Sequence, residues 1–192
     1  MTTAFVGFGS NVGDRVDSCN RVVTLLRLLP GTQVVAVSSL YETEPVAAPG
    51  DPGPGWFLNG VMQIETDVKP HKLLEVFREI ERALGRDEED RHGPRTMDLD
   101  LLFYGDQLST DPGMLLPHPR LHRRRFVLTP LAEIAPTWTH PVLKQTVEEL
   151  LATLDDPATV RRFLPFAGTA PGGLPPCHTP PEGTPSSTDN PS

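Results

Sequence analysis

Residues 57–85 read FLNGVMQIETDVKPHKLLEVFREIERALG, and this stretch contains the pattern of a strand followed directly by that of a helix. Residues 57–66 are rich in β-branched and other large apolar side chains, which favour an extended strand. From Pro70 to Leu84 the apolar side chains recur at helical spacing, and Gly85 is the residue type that commonly ends a helix. We therefore predict a strand over 57–66 and an amphipathic helix over 70–84.

The segments on either side repeat this alternation. Apolar and β-branched runs predict strands at 3–8, 34–41 and 98–104, the last turning through Gly105-Asp106 toward a short partner strand at 107–109. Asp14 can cap a helix that runs to about residue 29 and stops at Pro30-Gly31. Further helices are predicted at 123–134 and 146–154.

The order strand, helix, strand, strand, helix, strand is that of a split βαβ, ferredoxin-like fold of the α+β class. In this arrangement an antiparallel sheet carries its helices mainly on one face, so we expect the opposite face to be free for a site. At 192 residues the chain is long enough for one domain, which we place at residues 1–165. Residues 166–192 are rich in Pro, Gly, Ser and Thr, and we predict a disordered tail there.

The composition excludes several classes of protein. A formal net charge of −8 argues against a nucleic-acid binder that works through bulk electrostatics. Cys19 and Cys177 are the only cysteines, so we expect neither a disulfide scaffold nor a thiolate metal site. No segment approaches the roughly 20 apolar residues needed to span a bilayer, and the N-terminus lacks a signal-peptide pattern. We therefore expect a cytoplasmic protein without nucleic-acid or membrane partners.

The sharpest chemical pattern is RTMDLDLLF at residues 95–103. Because side chains alternate along a strand, Asp98 and Asp100 should point to one side, about 7 Å apart. Leu99 and Leu101 should then face the core. Two carboxylates with no His or Cys nearby in the sequence favour a hard cation such as Mg²⁺. The alternative is an edge strand with a solvated polar face.

Positive charges crowd the loop that precedes these carboxylates, at Arg86, Arg91, His92 and Arg95. Cations beside a carboxylate pair are what a magnesium-bound polyphosphate requires. The alternative is a solvated loop in which these cations pair with the acidic residues at 87–90. Residues 45–56 and 85–96 have the composition of mobile lids, although a tolerated surface insertion is the simpler interpretation of 45–56.

A basic segment, PHPRLHRRRF, occupies residues 117–126. His118 and His122 have the i, i+4 spacing of a helical metal site, but two prolines disfavour a helix there. A cluster that binds phosphates is the better functional interpretation. The alternative is an arginine run at a solvated helix N-terminus, where cations oppose the helix dipole and attract an anion. The glycines at 7, 9 and 13 lack P-loop or dinucleotide spacing and suit a tight turn or the close approach of a ligand.

In combination, six segments of the chain resemble the 6-hydroxymethyl-7,8-dihydropterin pyrophosphokinase family. They are GSN at 9–11, SSLYETEP at 38–45, FLN at 57–59, IERALGR at 80–86, GPRTMDLDLL at 93–102 and PHPRLHRRRFVLTPLAEIAP at 117–136. The resemblance covers about the first 155 residues, in order, and leaves the tail unmatched.

This resemblance implies a ferredoxin-like kinase of folate biosynthesis that moves a diphosphate from MgATP to a pterin hydroxymethyl group and releases AMP. It implies two Mg²⁺ ions held by Asp98 and Asp100, with Arg86 and Arg95 as further catalytic residues. For the nucleotide it implies Arg91, Leu101, His118 and Arg124. For the pterin it implies Thr43, Pro45, Val46, Phe57, Asn59 and Phe126. We expect such an enzyme to act as a monomer on these two small molecules.

Two other functions remain open from the residues alone. A ferredoxin-like fold also serves as an RNA-binding or small-ligand regulatory module without chemistry of its own. An RNA-binding surface would need exposed aromatic and basic residues on the central strands, where residues 97–100 offer acids instead. The other alternative is a relative that binds the pterin without catalysis.

Overall fold

The computed structural model describes residues 1–44, 55–85 and 96–164. The strands are β1 (Thr2–Ser10), β2 (Thr32–Val37), β3 (Leu40–Thr43), β4 (Phe57–Thr66), β5 (Asp98–Tyr104), β6 (Ser109–Asp111), β7 (Met114–Leu116) and β8 (Val160–Leu164). The helices are α1 (Arg15–Arg27), α2 (Pro70–Ala83), α3 (Arg125–Ile134) and α4 (Val147–Ala152), with a 3-10 turn at Leu121–Arg123 before α3. Within the described ranges, no helix has the length and apolar character needed to cross a membrane.

The first two helices begin where the sequence predicts. At α1 the carboxylate of Asp14 accepts a 2.9 Å hydrogen bond from the backbone N–H of Asp17, which satisfies a donor of the first turn. Pro70 begins α2, where its missing N–H is harmless because first-turn donors have no partner within the helix. The chain leaves α2 through Gly85 at φ +94°, a conformation that favours glycine.

The main sheet has the strand order β5-β1-β4-β3-β8, with β2 paired to the second half of β4, and every pairing is antiparallel. The strand at 57–66 therefore lies in the middle of the sheet. The predicted strand at 34–41 is two strands, since the chain breaks at Ser38, whose Oγ accepts a 3.0 Å hydrogen bond from the N–H of Val61. The antiparallel sheet and its helices together form the α+β architecture predicted from the sequence.

Helices pack on both faces of the sheet, which corrects the expectation that one face stays free. Val6 and Phe8 of β1 pack in the core with α1 and α2, whereas Phe5 packs with α3 and α4. A bulge on β5, opposite the step from Phe5 to Val6, turns both Leu102 and Phe103 toward α3. The α3–α4 pair covers the half of this face near Phe5, and the other half remains open for a site.

The C-terminal half differs from the prediction in two places. The strand after β5 starts at Ser109 and pairs with β7 instead of β5, because Asp111 accepts a 2.9 Å hydrogen bond from Gly113 and closes a tight turn. Residues 160–164 form an unpredicted strand, β8, that pairs with β3. Its sequence, VRRFL, is short and has two charged residues among five, so it carries little strand signal. The predicted tail at 166–192 lies outside the described residues.

Candidate active site

A cleft opens on the uncovered half of the sheet, beside the N-terminal end of α3. Its volume, counting solvent at the mouth, is about 920 Å³. The predicted site residues that line it are Thr43, Phe57, Asn59, Asp98, Asp100, Arg124 and Phe126. They come from β3, β4, β5 and α3, so the fold brings together residues that are far apart in the chain.

The two carboxylates project from one side of β5. Asp98 pairs with Gly9 and Asp100 pairs with Gly7 of the neighbouring strand β1, and both side chains line the cleft. Neither glycine has a side chain that would cover them. The alternation predicted from the sequence is therefore present, and the carboxylates face a cavity with room for ligands.

The electrostatics of this pair suit a bound cation. Burial raises the pKa of Asp100, and the neighbouring Asp98 raises it further, because a second negative charge is unfavourable there. Positive groups act in the opposite direction, namely His118, Arg124 and Arg120. A divalent cation would relieve the repulsion, and a donor set made only of oxygen atoms fits Mg²⁺.

A second cavity, of about 770 Å³, meets the cleft at these carboxylates. Asp98, Asp100 and Arg124 line both spaces. The remaining residues of the second cavity are Leu74, Phe77, Arg78, Glu81, Leu99 and Arg120. The acidic pair thus lies at the junction of two spaces, one of them lined in large part by charged side chains.

Three charged residues of the second cavity were not predicted as site residues: Arg78, Glu81 and Arg120. Glu81 is only 6% exposed, and its carboxylate accepts a 2.8 Å hydrogen bond from the backbone N–H of Leu99. This bond ties α2 to β5 between the two aspartates. The spacing of Arg78 and Glu81 places both on one face of α2, since i and i+3 share a helix face, but the sequence does not show that this face lies over β5.

Aromatic and amide side chains also line the cleft. Phe57 and Phe126 line it from β4 and α3. Asn59 lines it as well, and its side-chain amide donates a 2.7 Å hydrogen bond to Oγ1 of Thr43. Two aromatic rings and an amide that offers both a donor and an acceptor suit a flat, polar-edged heterocycle.

Two other predicted residues lie near the cleft but do not line it. The N–H of His118 donates to the carbonyl of Leu102 at 2.9 Å, and burial lowers the pKa of its imidazole, with Asp100 opposing that shift. The side chain of Leu101 lies in the core on the α1–α2 face, so only its main chain can reach a ligand. The His122 ring packs against the His140 ring, at 6.0 Å between ring centroids. This contact does not pair His122 with His118 as the i, i+4 spacing of a helical metal site would.

The remaining predicted residues lie outside the described ranges. They are Pro45 and Val46 in the segment 45–54, and Arg86, Arg91 and Arg95 in the segment 86–95. Both segments begin or end next to residues of the cleft, since Thr43 and Phe57 flank one and Asp98 follows the other.

The fold and the paired carboxylates define an α+β domain suited to metal-assisted transfer between two small ligands. The same fold occurs in the crystal structure of Plasmodium falciparum HPPK-DHPS, with a TM-score of 0.60 at 16% identity over 79% of this chain. The chain spans 43% of that longer, fused protein.

Residues 5–136 match the family model described as 7,8-dihydro-6-hydroxymethylpterin-pyrophosphokinase (HPPK). A 2-amino-4-hydroxy-6-hydroxymethyldihydropteridine pyrophosphokinase of Methylorubrum extorquens is 45% identical over 84% of this chain and 99% of its own length. The enzyme of the same name from Bacillus subtilis is 44% identical over 68% of this chain and 77% of its own length. The chain therefore belongs to the HPPK family, which confirms the family and the enzyme class predicted from the sequence.

Proposed function

We propose that this chain transfers the diphosphate of ATP to the hydroxymethyl group of 6-hydroxymethyl-7,8-dihydropterin, with one substrate in each of the two cavities that Asp98 and Asp100 line. The observation that carries this proposal is that Asp98 and Asp100 line both cavities at their junction. The aromatic cleft suits the pterin, and the charged second cavity suits the nucleotide. The carboxylates then lie where the two substrates meet.

In this reaction the pterin hydroxymethyl oxygen attacks the β-phosphorus of ATP. The bond from that phosphorus to the oxygen bridging the α- and β-phosphates breaks, and AMP leaves with the electron pair. The hydroxymethyl proton is released. Transfer of this kind depends mainly on positioning and on neutralisation of phosphate charge, and little on covalent chemistry by the protein.

Asp98 and Asp100 are the residues that would hold two Mg²⁺ ions. The ions would supply positive charge to the phosphate oxygens and to the attacking hydroxyl. The protein's part is to present two carboxylates on one face of a strand whose neighbour, β1, has glycines opposite them.

Arginines would hold the phosphates. Arg124 lines both cavities and Arg120 lines the second. His118 and the main chain of Leu101 complete the nucleotide contacts in this proposal. Three further arginines, outside the described ranges, would contact the phosphates: Arg86, Arg91 and Arg95.

Phe57 and Phe126 would sandwich the pterin ring, and Asn59 would bond to its polar edge. Thr43 holds the Asn59 amide in place through the 2.7 Å hydrogen bond between them. Pro45 and Val46, which follow Thr43 in the chain, would add main-chain contacts. We further propose that the enzyme acts as a monomer in the cytoplasm. Residues 1–165 would form its catalytic domain, and residues 166–192 a tail that activity does not require.

An RNA-binding role is disfavoured by the same surface. Across the described part of the open face, the strands β1 and β5 present Gly7, Gly9, Asp98 and Asp100. The two carboxylates repel a nucleic-acid backbone, and these four positions of the central strands offer no aromatic ring on which a base could stack.

The metal stoichiometry tests this proposal. Calorimetric titration of Mn²⁺ into the protein with α,β-methylene-ATP, which cannot be cleaved at the bond that breaks, should give two ions per chain. Asp98→Asn and Asp100→Asn should each weaken that binding. A single ion per chain, or unchanged binding in both variants, would contradict the assignment.

A further inference from the structure

The side chains of the three consecutive arginines at 123–125 lie in three different environments. Arg124 lines both cavities. Nε of Arg123 donates to the His122 ring at 3.2 Å. Arg125 turns away from the cleft, and its Nε donates a 2.8 Å hydrogen bond to the backbone carbonyl of Asp156. The basic run is therefore not one phosphate site, and Arg125 has another task.

Two hydrogen bonds join Arg125 and Asp156, each between the main chain of one residue and the side chain of the other. The Asp156 carboxylate accepts a 2.8 Å hydrogen bond from the backbone N–H of Arg125. The Arg125 guanidinium also donates to the carbonyl of Leu154 at 3.1 Å. The second carboxylate oxygen of Asp156 accepts from the N–H of Ala158 at 3.0 Å, which fixes its orientation.

Asp156 thereby supplies the cap that α3 lacks locally. The residue at the N-cap position of α3 is Arg124, which makes no side-chain capping bond. A cation there opposes the helix dipole and leaves first-turn N–H groups without an acceptor. Asp156, 31 residues along the chain, provides both the acceptor and the negative charge. The anion that this helix end attracts comes from the protein itself.

The residues on either side of Arg125 are the two that α3 contributes to the proposed chemistry. Arg124 and Phe126 both line the cleft, and the Arg124 guanidinium lies 5.4 Å from the centre of the Phe126 ring. Pro130 lies inside α3 and has no N–H to donate to the Phe126 carbonyl, so the helix itself holds this turn less firmly. The contacts of Arg125 with Leu154 and Asp156 hold this turn from outside the helix.

We propose that Asp156 is a positioning residue that, through Arg125, holds Arg124 and Phe126 in their working orientation. The proposal rests on the proposed function, because it assumes that Phe126 contacts the pterin and Arg124 the phosphates. Asp156 itself touches neither substrate. It acts on the backbone from which both side chains extend.

Asp156→Ala should weaken binding of the unreactive ligand 6-hydroxymethylpterin and lower kcat/KM for the dihydropterin, each by roughly tenfold, the scale of a displaced binding group. Asp156→Asn should recover part of this loss, since its amide oxygen can still accept from the Arg125 N–H, although it loses the negative charge and the bond from the N–H of Ala158. The matched control is Asp14→Ala, which also removes an aspartate that caps a helix but at α1, on the other face of the sheet. It should lower the melting temperature similarly and leave pterin binding unchanged.

A double-mutant cycle on pterin affinity separates positioning from general stability. If Asp156 acts through Phe126, then Asp156→Ala should cost much less pterin affinity in a Phe126→Ala background than in the wild type. Equal losses in both backgrounds, or wild-type pterin affinity in Asp156→Ala, would overturn the positioning role. If Asp156→Ala does not fold, the same cycle is run with Arg125→Lys, which keeps the charge but not the planar fork. Unchanged pterin affinity in Phe126→Ala alone would instead refute the pterin assignment on which this proposal rests.

Discussion

The side-chain amide of Asn59 donates a 2.7 Å hydrogen bond to Oγ1 of Thr43, across the pairing of β3 with β4. One of the two amide hydrogens is therefore used within the protein. Among residues 1–44, 55–85 and 96–164, the other hydrogen and the carbonyl oxygen have no further hydrogen-bond partner, so they can serve a ligand. The bond also fixes which side of the amide faces which part of the cleft, and this orientation can be tested.

Replacing Thr43 with Val keeps the shape of the side chain but removes the acceptor. We expect Thr43→Val to raise KM for the dihydropterin by about tenfold, on the scale of one buried hydrogen bond, and to change KM for ATP little. Steady-state kinetics with each substrate varied in turn measures the difference. Thr3→Val removes a comparable hydroxyl bond, to Glu65 at the distant end of β1, and should change neither KM. An equal rise in both KM values for Thr43→Val would contradict a pterin-specific role.

Gly9 leaves room for the same amide. A Cβ placed on Gly9 would overlap Oδ1 of Asn59, so Gly9→Ala must displace that side chain. We expect a loss of pterin affinity at least as large as that of Thr43→Val, measured by binding of 6-hydroxymethylpterin. Gly113→Ala is the control, because its Cβ would make only an ordinary 3.5 Å contact with Asp111. Wild-type pterin affinity in Gly9→Ala would show that the position of Asn59 does not matter.

The carboxylate pair should control turnover more than folding. Asp98→Asn and Asp100→Asn should each reduce kcat by roughly 10²–10³-fold or more, the scale seen when preorganised charge stabilisation is removed. AMP release with saturating MgATP and dihydropterin measures turnover, and circular dichroism checks the fold. Asp106→Asn, an exposed aspartate just beyond the other end of β5, is the matched control and should retain full activity. Turnover near the wild-type level in either variant would refute the metal role.

The C-terminal boundary of the working domain should fall after β8. A chain that ends at residue 166 should keep full activity, because it retains the pairing of β8 with β3. A chain that ends at residue 159 should be less stable. It loses this pairing and the bonds from Arg162 to Ser39 Oγ at 2.7 Å and to Glu133 at 3.3 Å. Thermal unfolding and AMP release measure both effects, and a large loss of activity in the chain that ends at residue 166 would show that the tail contributes to the site.

Much of the fold could be predicted because local patterns were strong. The bounds of β4 and β5 are those predicted, 57–66 and 98–104, since long runs of apolar and β-branched residues leave little choice. Asp14 marked the start of α1 because its side chain caps the helix. Pro70 and Gly85 marked the two ends of α2 because of their backbone conformations. β8 was missed because an edge strand of five residues is decided by its partner, β3, and not by its own composition.

The carboxylate pair of the site could be predicted from the sequence, but the residues that the fold packs around it could not. The alternation of Asp98 and Asp100 required only the period of a strand. The second cavity required knowledge of which helix lies over β5, so Arg78 and Glu81 could not be assigned from α2 alone. Likewise, nothing local distinguishes Arg124 from Arg125, although one lines the cleft and the other holds Asp156.

By itself, the sequence determined most of the strands and helices, the family, and the side of β5 on which the two acids lie. These depend on residue types and short-range periodicity, which act over a few positions. Only the tertiary structure decided that α3 and α4 cover half of the second face, and that two cavities meet at the acids. Those outcomes depend on contacts between residues tens of positions apart, such as Asp156 with Arg125, and burial at that range depends on the packing of the whole domain.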